Sequence, residues 1–179
     1  MMSSLAVPII LSAIALFFAS FLSWMVLQLH KPDWKRLDRQ DDLMAALRPF
    51  NLAVGSYMFP CPKDHKEMQL EEFKAKYTAG PRGLMTILAP TNMGVNLGLT
   101  LGYFLIVSFV IGYLASMGLP KGTDFLAVFR FIFAAGMLAF LAGIVQHSIW
   151  FRNRVFGHLI ESIFYSAIIG TIFAAMWPA

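Results

Sequence analysis

The sequence predicts an all-α integral membrane protein: a four-helix bundle with a partly helical cytoplasmic loop. Four apolar stretches of 22 to 26 residues predict the helices, namely residues 5–29, 95–119, 125–150 and 156–177. About 20 apolar residues, each rising 1.5 Å along a helix, cross a hydrocarbon core of about 30 Å. The composition agrees, because 58% of the residues are hydrophobic and only 13% are charged. In lipid such segments form helices, which satisfy their own backbone hydrogen bonds.

The segment between the first two spans, residues 30–94, is predicted to be an ordered loop within a single membrane domain of 179 residues. A short helix is expected over residues 38–48. Asp41 and Asp42 suit its first turn, since acidic side chains stabilise helix N-termini, and Pro49 ends it. The loop is too small for an independent enzyme fold, so we expect it to cap the bundle or to contact another protein.

The second half of the loop is expected to contain another helix and two short segments. The helix covers residues 66–77 and carries Glu72 and Lys76, whose i,i+4 spacing forms a favourable pair on a helix surface. Residues 55–62 are bounded by proline and are predicted to be extended. Residues 84–90 are too short to span a bilayer and are expected to lie on the membrane surface.

Lysine and arginine residues predict the orientation in the membrane. Residues 1–4 contain none, residues 30–94 contain ten, and the last turn contains Arg152 and Arg154, whereas the turn before it contains only Lys121. Because basic residues near span ends stay in the cytoplasm, we expect both termini in the periplasm of a bacterium and the protein in the inner membrane. This placement also accounts for the net charge of +4, so nucleic acid is not an expected partner.

Small residues recur at four-residue spacing in every span. The rows are Ala15, Ala19 and Ser23; Gly94, Gly98 and Gly102; Ala135, Ala139 and Gly143; and Ser162, Ser166, Gly170 and Ala174. Residues at this spacing share one helix face and let two helices approach closely. We expect them to pack the bundle internally, with docking of a partner helix by one row as the alternative.

Ionisable residues inside the spans are the candidates for chemistry, because burying them in hydrocarbon costs free energy. His147 lies near the end of the third span, and His158 and Glu161 lie near the start of the fourth. The short turn between these spans makes the helices antiparallel neighbours, so the three side chains are expected to converge. An interhelical hydrogen-bond lock is the preferred interpretation. A proton relay and a single metal ion are alternatives, and no metal site is assigned.

His147 also permits a tetrapyrrole, either haem or chlorophyll. Gly143 precedes it by one helical turn, and a small residue there leaves room for a flat macrocycle held by the imidazole. The pattern resembles that of light-harvesting and haem-binding helices. His158 is the one candidate for a second axial ligand on another span. The sequence does not specify which cofactor, if any, is bound.

Arg130 is a third feature of interest, about five residues into the third span on its outer side. An arginine at the bilayer centre costs about 2.5–3.5 kcal/mol on insertion scales, and less where it reaches the interface. At this depth we expect Arg130 to extend to lipid phosphate or to pair with Asp124. Contact with a partner subunit is the alternative.

Motifs of known enzymes are absent. The chain has no Gly-x-Ser-x-Gly, no His-Glu-x-x-His and no Gly-x-x-x-x-Gly-Lys, and its one cysteine, Cys61, excludes an internal disulfide. We therefore expect a non-catalytic accessory or scaffold subunit of a larger membrane complex, with respiratory and photosynthetic assemblies as candidates. Its partners would be membrane lipids and other subunits. A cofactor-binding protein using His147, His158 and Glu161, and a small channel or transporter subunit, are the alternatives.

Several short blocks accompany the four spans. They are His30-Lys31-Pro32-Asp33-Trp34-Lys35, Tyr57-Met58-Phe59-Pro60, Gly80-Pro81, Val128-Phe129-Arg130, Ile149-Trp150-Phe151 and Trp177-Pro178. Their order resembles that in a group of small four-span bacterial inner-membrane proteins of unknown function. The resemblance covers most of the chain and implies a small polytopic membrane protein without implying an activity. It makes Arg130 and residues 57–60 the first targets for mutation.

Overall fold

A computed structural model of the protein describes residues 2–179. The chain is mostly helical, 70%, which confirms the all-α prediction. In chain order the elements are α1 (Ala6–Phe21), α2 (Gln40–Leu47), β1 (Gly55–Phe59), α3 (Glu71–Ala79), β2 (Gly83–Ile87), α4 (Met93–Gly118), α5 (Phe125–Phe151) and α6 (Phe156–Ala175). The chain divides into two compact units, one of which is formed by the loop between the first two spans.

Four helices are long and apolar enough to cross a membrane. They are Met2–Val26, Met93–Gly118, Phe125–Phe151 and Phe156–Ala175, and each end lies within three residues of its predicted position. The first combines a 3₁₀ turn, α1 and a π-helical turn, Leu22–Val26. The agreement follows from the length of the apolar runs, since a polar residue or a proline follows the end of each helix within three residues.

The bundle unit comprises Met1–Lys35 and Met93–Ala179. Its most extensive helix pair is α5 with α6, α1 packs against α4 and α6, and α4 touches α5 only sparsely. Buried residues follow helical spacing. The first helix and the turn before it bury Leu5, Ile9, Ala13 and Leu16, which lie three or four residues apart. The opposite faces are apolar and exposed, as expected of helices that contact lipid.

The predicted row of small residues on α6 lies inside the bundle. Ser166 is fully buried, and Gly170 is buried against Phe129 of α5. The partner position on α5 is Gly136, where an added Cβ would stand 2.7 Å from Oγ of Ser166 and 3.1 Å from its Cα. Hydrogen alone fits at this position, so Gly136 allows α5 and α6 to approach closely.

The row on α4 is placed differently. An added Cβ at Gly98 or Gly102 would meet no atom within 4 Å, and Gly94 is exposed. The row therefore takes no part in the internal contacts of the bundle. Its use by a helix of a partner subunit stays a prediction. On α5, Gly143 is likewise open, whereas the closest approach is made at Gly136.

The loop unit comprises Arg36–Asn92. The helix expected over residues 38–48 is α2, continued by the 3₁₀ turn Arg48–Phe50, and the helix expected over residues 66–77 is α3 with a preceding 3₁₀ turn. On α3, Nζ of Lys76 lies 2.8 Å from Oε1 of Glu72, as the spacing predicted. The hydrogen bond from Lys76 lowers the pKa of the Glu72 carboxyl, although both groups are fully exposed and the pair adds little stability.

A two-stranded antiparallel sheet also belongs to the loop unit. Its register pairs Gly55 with Ile87 and Phe59 with Gly83. The extended segment predicted over residues 55–62 thus contains β1. Residues 84–90 were expected to lie on the membrane surface, and residues 84–87 of this segment belong to β2. Pairing with β1 gives hydrogen-bond partners to the backbone N–H and C=O groups of β2. A single short segment would leave these groups without partners in the chain.

Candidate functional site

A cluster of imidazole and carboxylate groups lies where the first span ends and α6 begins. His30 follows the π-helical turn after α1, and His158 and Glu161 belong to the start of α6. His30 is 2% exposed and Glu161 is 7% exposed, so two ionisable side chains are buried side by side. We call His30, His158 and Glu161 the His–Glu cluster. All three belong to the bundle unit.

The backbone after the first span directs His30 toward α6. Gln28 has a φ of 50°, in the left-handed region that turns the chain, and the amide of Lys31 donates to its carbonyl at 3.0 Å. Gly157 of α6 makes room for the returning chain. An added Cβ there would stand 3.1 Å from Cε1 of His30 and 3.1 Å from the carbonyl oxygen of Leu29. The approach of His30 to α6 thus depends on the absence of a side chain at this position.

Carboxylate oxygens approach both ring nitrogens of His30. Nδ1 lies 2.7 Å from Oδ2 of Asp33, and Nε2 lies 3.0 Å from Oε2 of Glu161. Nδ1 of His158 lies 4.0 Å from the same oxygen of Glu161. One donor atom from each residue of the His–Glu cluster lies within 4.8 Å of the other two.

Neighbouring side chains hold the cluster in place. The hydroxyl of Tyr165 donates to Oε1 of Glu161 at 3.0 Å, which orients the carboxylate. The indole of Trp24 stacks on the ring of His30, with centroids 4.2 Å apart and planes 21° apart. Nε of Arg154 lies 3.8 Å from Oδ1 of Asp33, the carboxylate that holds His30. These contacts restrict the His30 ring and the Glu161 carboxylate to one orientation each.

The second ring nitrogen of His30 lacks a hydrogen bond. Among residues 2–179, no group is placed to hydrogen-bond with Nε2, because the nearby oxygen of Glu161 lies outside hydrogen-bond geometry. When Nδ1 donates to Asp33, a neutral imidazole carries a lone pair on Nε2. In that tautomer the lone pair is not aimed at Oε2 of Glu161, which lies 3.0 Å from Nε2 but outside hydrogen-bond geometry, so an ion placed beside both atoms could take both as donors. Nε2 can be satisfied in two ways, by a proton that it shares with Glu161 after a small rotation of either side chain, or by a metal ion between the two groups.

His147 is not part of this cluster, so the expectation that it converges with His158 and Glu161 is wrong. Its ring is exposed and lies against Phe151, with centroids 4.5 Å apart. The buried positions of α5 advance in steps of four residues, through Val128, Ile132, Gly136 and Phe140. Continued to the end of the helix, these steps reach residues 144 and 148 and leave His147 facing outward. A two-histidine tetrapyrrole site of His147 and His158 is therefore not formed.

Sequence reasoning placed His30 in the loop and did not use Asp33. Both lie in the block of residues 30–35, directly after a span. A histidine followed by an aspartate three residues later was the available signal, since the two side chains meet at 2.7 Å across a 3₁₀ turn. Neither residue has a signature specific enough to mark a site by itself.

Arg130 and Asp124 do not form the expected pair. Oδ1 of Asp124 accepts hydrogen bonds from the backbone amides of Leu126 and Ala127, at 3.0 and 3.1 Å, and so caps the N-terminus of α5. Arg130 is exposed, and the residues described by the structure include no ion-pair partner for it. Its contact with lipid phosphate or a partner subunit stays a prediction.

Comparison of the chain with protein-family models, with curated proteins and with solved structures gives no match. The resemblance to small bacterial inner-membrane proteins therefore stays a prediction. The geometry of the His–Glu cluster, its burial and its unsatisfied ring nitrogen are the observations from which a function is proposed.

Proposed function

We propose that the protein is a membrane protein that binds a divalent transition-metal ion through His30, His158 and Glu161. The observation that carries this proposal is the buried Nε2 of His30, which has no hydrogen bond although it lies 3.0 Å from Oε2 of Glu161, while Asp33 holds the other ring nitrogen. Metal-ligating histidines nearly always donate their second N–H to a carboxylate, a carbonyl or water, which fixes the tautomer. The pair of Asp33 and His30 has this arrangement.

The distances and the donor types support a transition metal. With bonds of about 2.0–2.1 Å, the donors of a tetrahedral ion lie about 3.3 Å apart. The distance from Glu161 to His30, 3.0 Å, is slightly shorter than this value, and the distance from Glu161 to His158, 4.0 Å, is longer. His158 is partly exposed, and its ring lies beside that of His30, with centroids 4.4 Å apart. Two imidazoles with one carboxylate suit Zn²⁺ or Fe²⁺, whereas Mg²⁺ and Ca²⁺ prefer oxygen donors alone.

Titration of the purified, metal-stripped protein with Zn²⁺ in mild detergent tests the proposal. We expect saturable binding of one ion per chain and a rise in thermal stability. The stabilisation should reach about 2.7 kcal/mol at a free metal concentration of 100 times Kd. The control is His147→Ala, which removes an exposed imidazole at the same end of the bundle and should bind like the wild type. Absence of saturable binding would instead support a lock in which His30 carries a second proton.

The proposed location is the inner membrane of a bacterium, with both termini in the periplasm and the His–Glu cluster at the cytoplasmic end of the bundle. Support comes from the basic residues, of which ten lie in residues 30–94 and none in residues 1–4. In this orientation a metal ion reaches the cluster from the cytoplasm. The loop unit is then cytoplasmic as well.

The single cysteine offers a test of this orientation, because Cys61 is free and exposed in the loop unit. We expect a membrane-impermeant maleimide to leave Cys61 unmodified in intact bacterial cells and to modify it after permeabilisation. A matched control combines Cys61→Ser with Ala179→Cys and should react in intact cells. Modification of Cys61 in intact cells would reverse the assigned orientation.

A second candidate function is the accessory or scaffold subunit of a larger membrane complex, respiratory or photosynthetic, in which this chain is not catalytic. The observation that favours it is the loop unit, in which none of residues 36–92 is buried. Large apolar side chains of this unit are exposed, among them Phe50 at 69% and Leu88 at 76%. A folded unit without a core buries too little apolar surface to offset its ordering entropy, which favours a partner that covers it.

Extraction from native membranes in mild detergent, followed by sizing and mass spectrometry, tests the accessory role. We expect migration with a larger assembly whose other subunits are recovered in the same fractions. Gly98→Leu adds bulk on the open face of α4 and is expected to reduce the size of the assembly if that face docks a partner helix. Migration of the wild type as a single chain would contradict the accessory role without affecting metal binding.

A further inference from the structure

The two-stranded sheet of the loop unit has one half-covered face and one exposed face. Side chains of a strand point alternately to its two sides, so every second residue shares a face. Along β2 the even-numbered residues are exposed and the odd-numbered residues are half-buried, and Leu88 continues this alternation directly after the strand. The register brings Ser56 and Met58 of β1 to the exposed side. We call Ser56, Met58, Leu84, Thr86 and Leu88 the outer sheet face.

The outer sheet face is largely apolar and carries no charged side chain. Met58 and Leu84 stand directly opposite each other and are 49% and 51% exposed, and Leu88 is 76% exposed. The hydroxyl groups of Ser56 and Thr86 lie 3.2 Å apart and hydrogen-bond with each other. Removing a polar group from water costs less free energy when it keeps a hydrogen-bond partner. The side chains of this face can therefore leave water at a small cost.

The chain passes from this face into the second span without a charged residue. Residues 83–120 contain no Asp, Glu, Lys or Arg. The first span ends differently, because Lys31, Asp33 and Lys35 follow it closely. Charged side chains favour water over lipid, so they keep the chain that carries them out of the bilayer. No such side chain separates the outer sheet face from the membrane.

The length of the connecting chain also keeps this face near the membrane surface. The second span begins with α4 at Met93, five residues after Leu88. An extended chain covers at most about 3.6 Å per residue, so Leu88 lies within about 18 Å of the start of the span. The outer sheet face is therefore continuous with a segment that enters the bilayer.

We infer that the outer sheet face lies on the lipid bilayer and inserts Met58, Leu84 and Leu88 at the boundary between headgroups and acyl chains. Interfacial segments bury their apolar side chains about 5–10 Å into this boundary. The strand pairing decides which side chains of residues 84–90 meet lipid, and it adds Met58 from β1. A protein partner would also cover an apolar face, but it would not account for the uncharged connection to the span.

Lipid contact of this face does not depend on the metal site, since the face contains none of the proposed ligands. It also leaves room for the second candidate function. Phe50 of the loop unit does not belong to the outer sheet face and stays available to a partner subunit.

Fluorescence of the full-length protein in lipid nanodiscs tests the inference. Cys61→Ser removes the one native thiol, and Met58→Cys, Leu84→Cys or Leu88→Cys then carries an environment-sensitive NBD probe. The nanodiscs contain phosphatidylcholine, phosphatidylglycerol and a lipid spin-labelled near its headgroup. We expect the spin label to quench these three probes at least about twofold more strongly than a probe on Ala75→Cys. Ala75 is the matched control, because it is exposed on α3 of the same unit and lies outside the face.

Iodide in the buffer reports contact with water and provides the complementary measurement. We expect iodide to quench the Ala75→Cys probe at least about twofold more strongly than the three probes of the face. Gly98→Cys, at an open position of the second span, gives the response of a probe in lipid. The three positions of the face are exposed, so misfolding of one variant leaves the other two as probes. A chelator in every sample keeps the result independent of metal binding.

Three results would overturn the inference. Equal quenching by iodide at Ala75 and at all three positions of the face would place the face in water. Quenching by the spin-labelled lipid at Leu88 alone would show that only the chain next to the span touches lipid. Shielding of Met58 and Leu84 from iodide in native membranes, but not in nanodiscs of the purified protein, would assign the face to a protein partner.

Discussion

Replacing Glu161 by Gln is expected to lower the affinity of the His–Glu cluster for Zn²⁺ by at least about 100-fold. Loss of an outer-shell partner of a metal ligand costs 10–100-fold, and Glu161 is itself a proposed ligand. Its Oε2 is the oxygen nearest to both histidines, at 3.0 Å from Nε2 of His30 and 4.0 Å from Nδ1 of His158. An amide of the same shape keeps the packing but is neutral and a poorer donor. Isothermal titration of the metal-stripped variant measures the effect.

Two further measurements separate metal binding from a structural lock. Glu72→Gln alters an exposed glutamate of α3, paired with Lys76, and should leave the Zn²⁺ affinity unchanged. At a Zn²⁺ concentration that stabilises the wild type, the thermal stability of Glu161→Gln should rise much less than that of the wild type. If Glu161→Gln lowers stability to the same extent with and without Zn²⁺ present and the wild type shows no metal response, His30 and Glu161 form a protonated ion pair. That outcome would contradict the proposed function.

The spans could be predicted because the hydrophobicity that identifies a span is summed over more than 20 residues. A run of more than 20 apolar residues stays recognisable whatever the tertiary contacts, and the observed ends follow the polar residues and prolines that flank it. The row of small residues on α6 was predicted for the same reason, since its spacing places it on one face. Which of several such rows meets another helix is decided by the rotation of each helix. That rotation puts Gly136 and Ser166 in contact and leaves Gly98 open.

The His–Glu cluster was predicted only in part, because it combines a local pattern with a non-local contact. His158 and Glu161 share a helix face at i,i+3, which the sequence reveals. The third member was predicted on α5, the helix directly before α6 in sequence, but the observed third member, His30, follows the first span. His30 reaches them through the turn at Gln28, and a left-handed conformation at a glutamine leaves no sequence signature.

The strand pairing in the loop unit was missed for a related reason. β1 and β2 are separated by residues 60–82, so no short turn motif connects them, and each strand has only five residues. The usual hairpin signal is a two-residue loop such as Asn-Gly between alternating segments. Pairing at this separation depends on α3 and its flanking turns, which bring the two strands together. Length alone could not distinguish a paired strand from an unpaired segment at the membrane surface.

Gly157→Ala is expected to weaken metal binding by about 10-fold or more without removing any donor atom. The added methyl would stand 3.1 Å from Cε1 and 3.2 Å from Nδ1 of His30, and 3.1 Å from the carbonyl oxygen of Leu29. Since the carbonyl belongs to the backbone, relief of these contacts requires the chain at residues 29–30 to move away from α6. A shift of a few tenths of an ångström displaces Nε2 of His30 from its position beside Glu161, and we expect a loss comparable to that of an outer-shell partner.

Gly143→Ala is the matched control, because an added Cβ at Gly143 meets nothing within 4 Å and both changes replace a helical glycine by alanine near the same end of the bundle. Its Zn²⁺ affinity should equal that of the wild type. Unchanged affinity in Gly157→Ala would contradict the expectation that the close approach at Gly157 positions His30 for the metal. A loss of Zn²⁺ affinity in Gly157→Ala but not in Gly143→Ala would show that the affinity depends on the close approach between the first span and α6. The affinity of the site would then depend on this approach as well as on the donor residues.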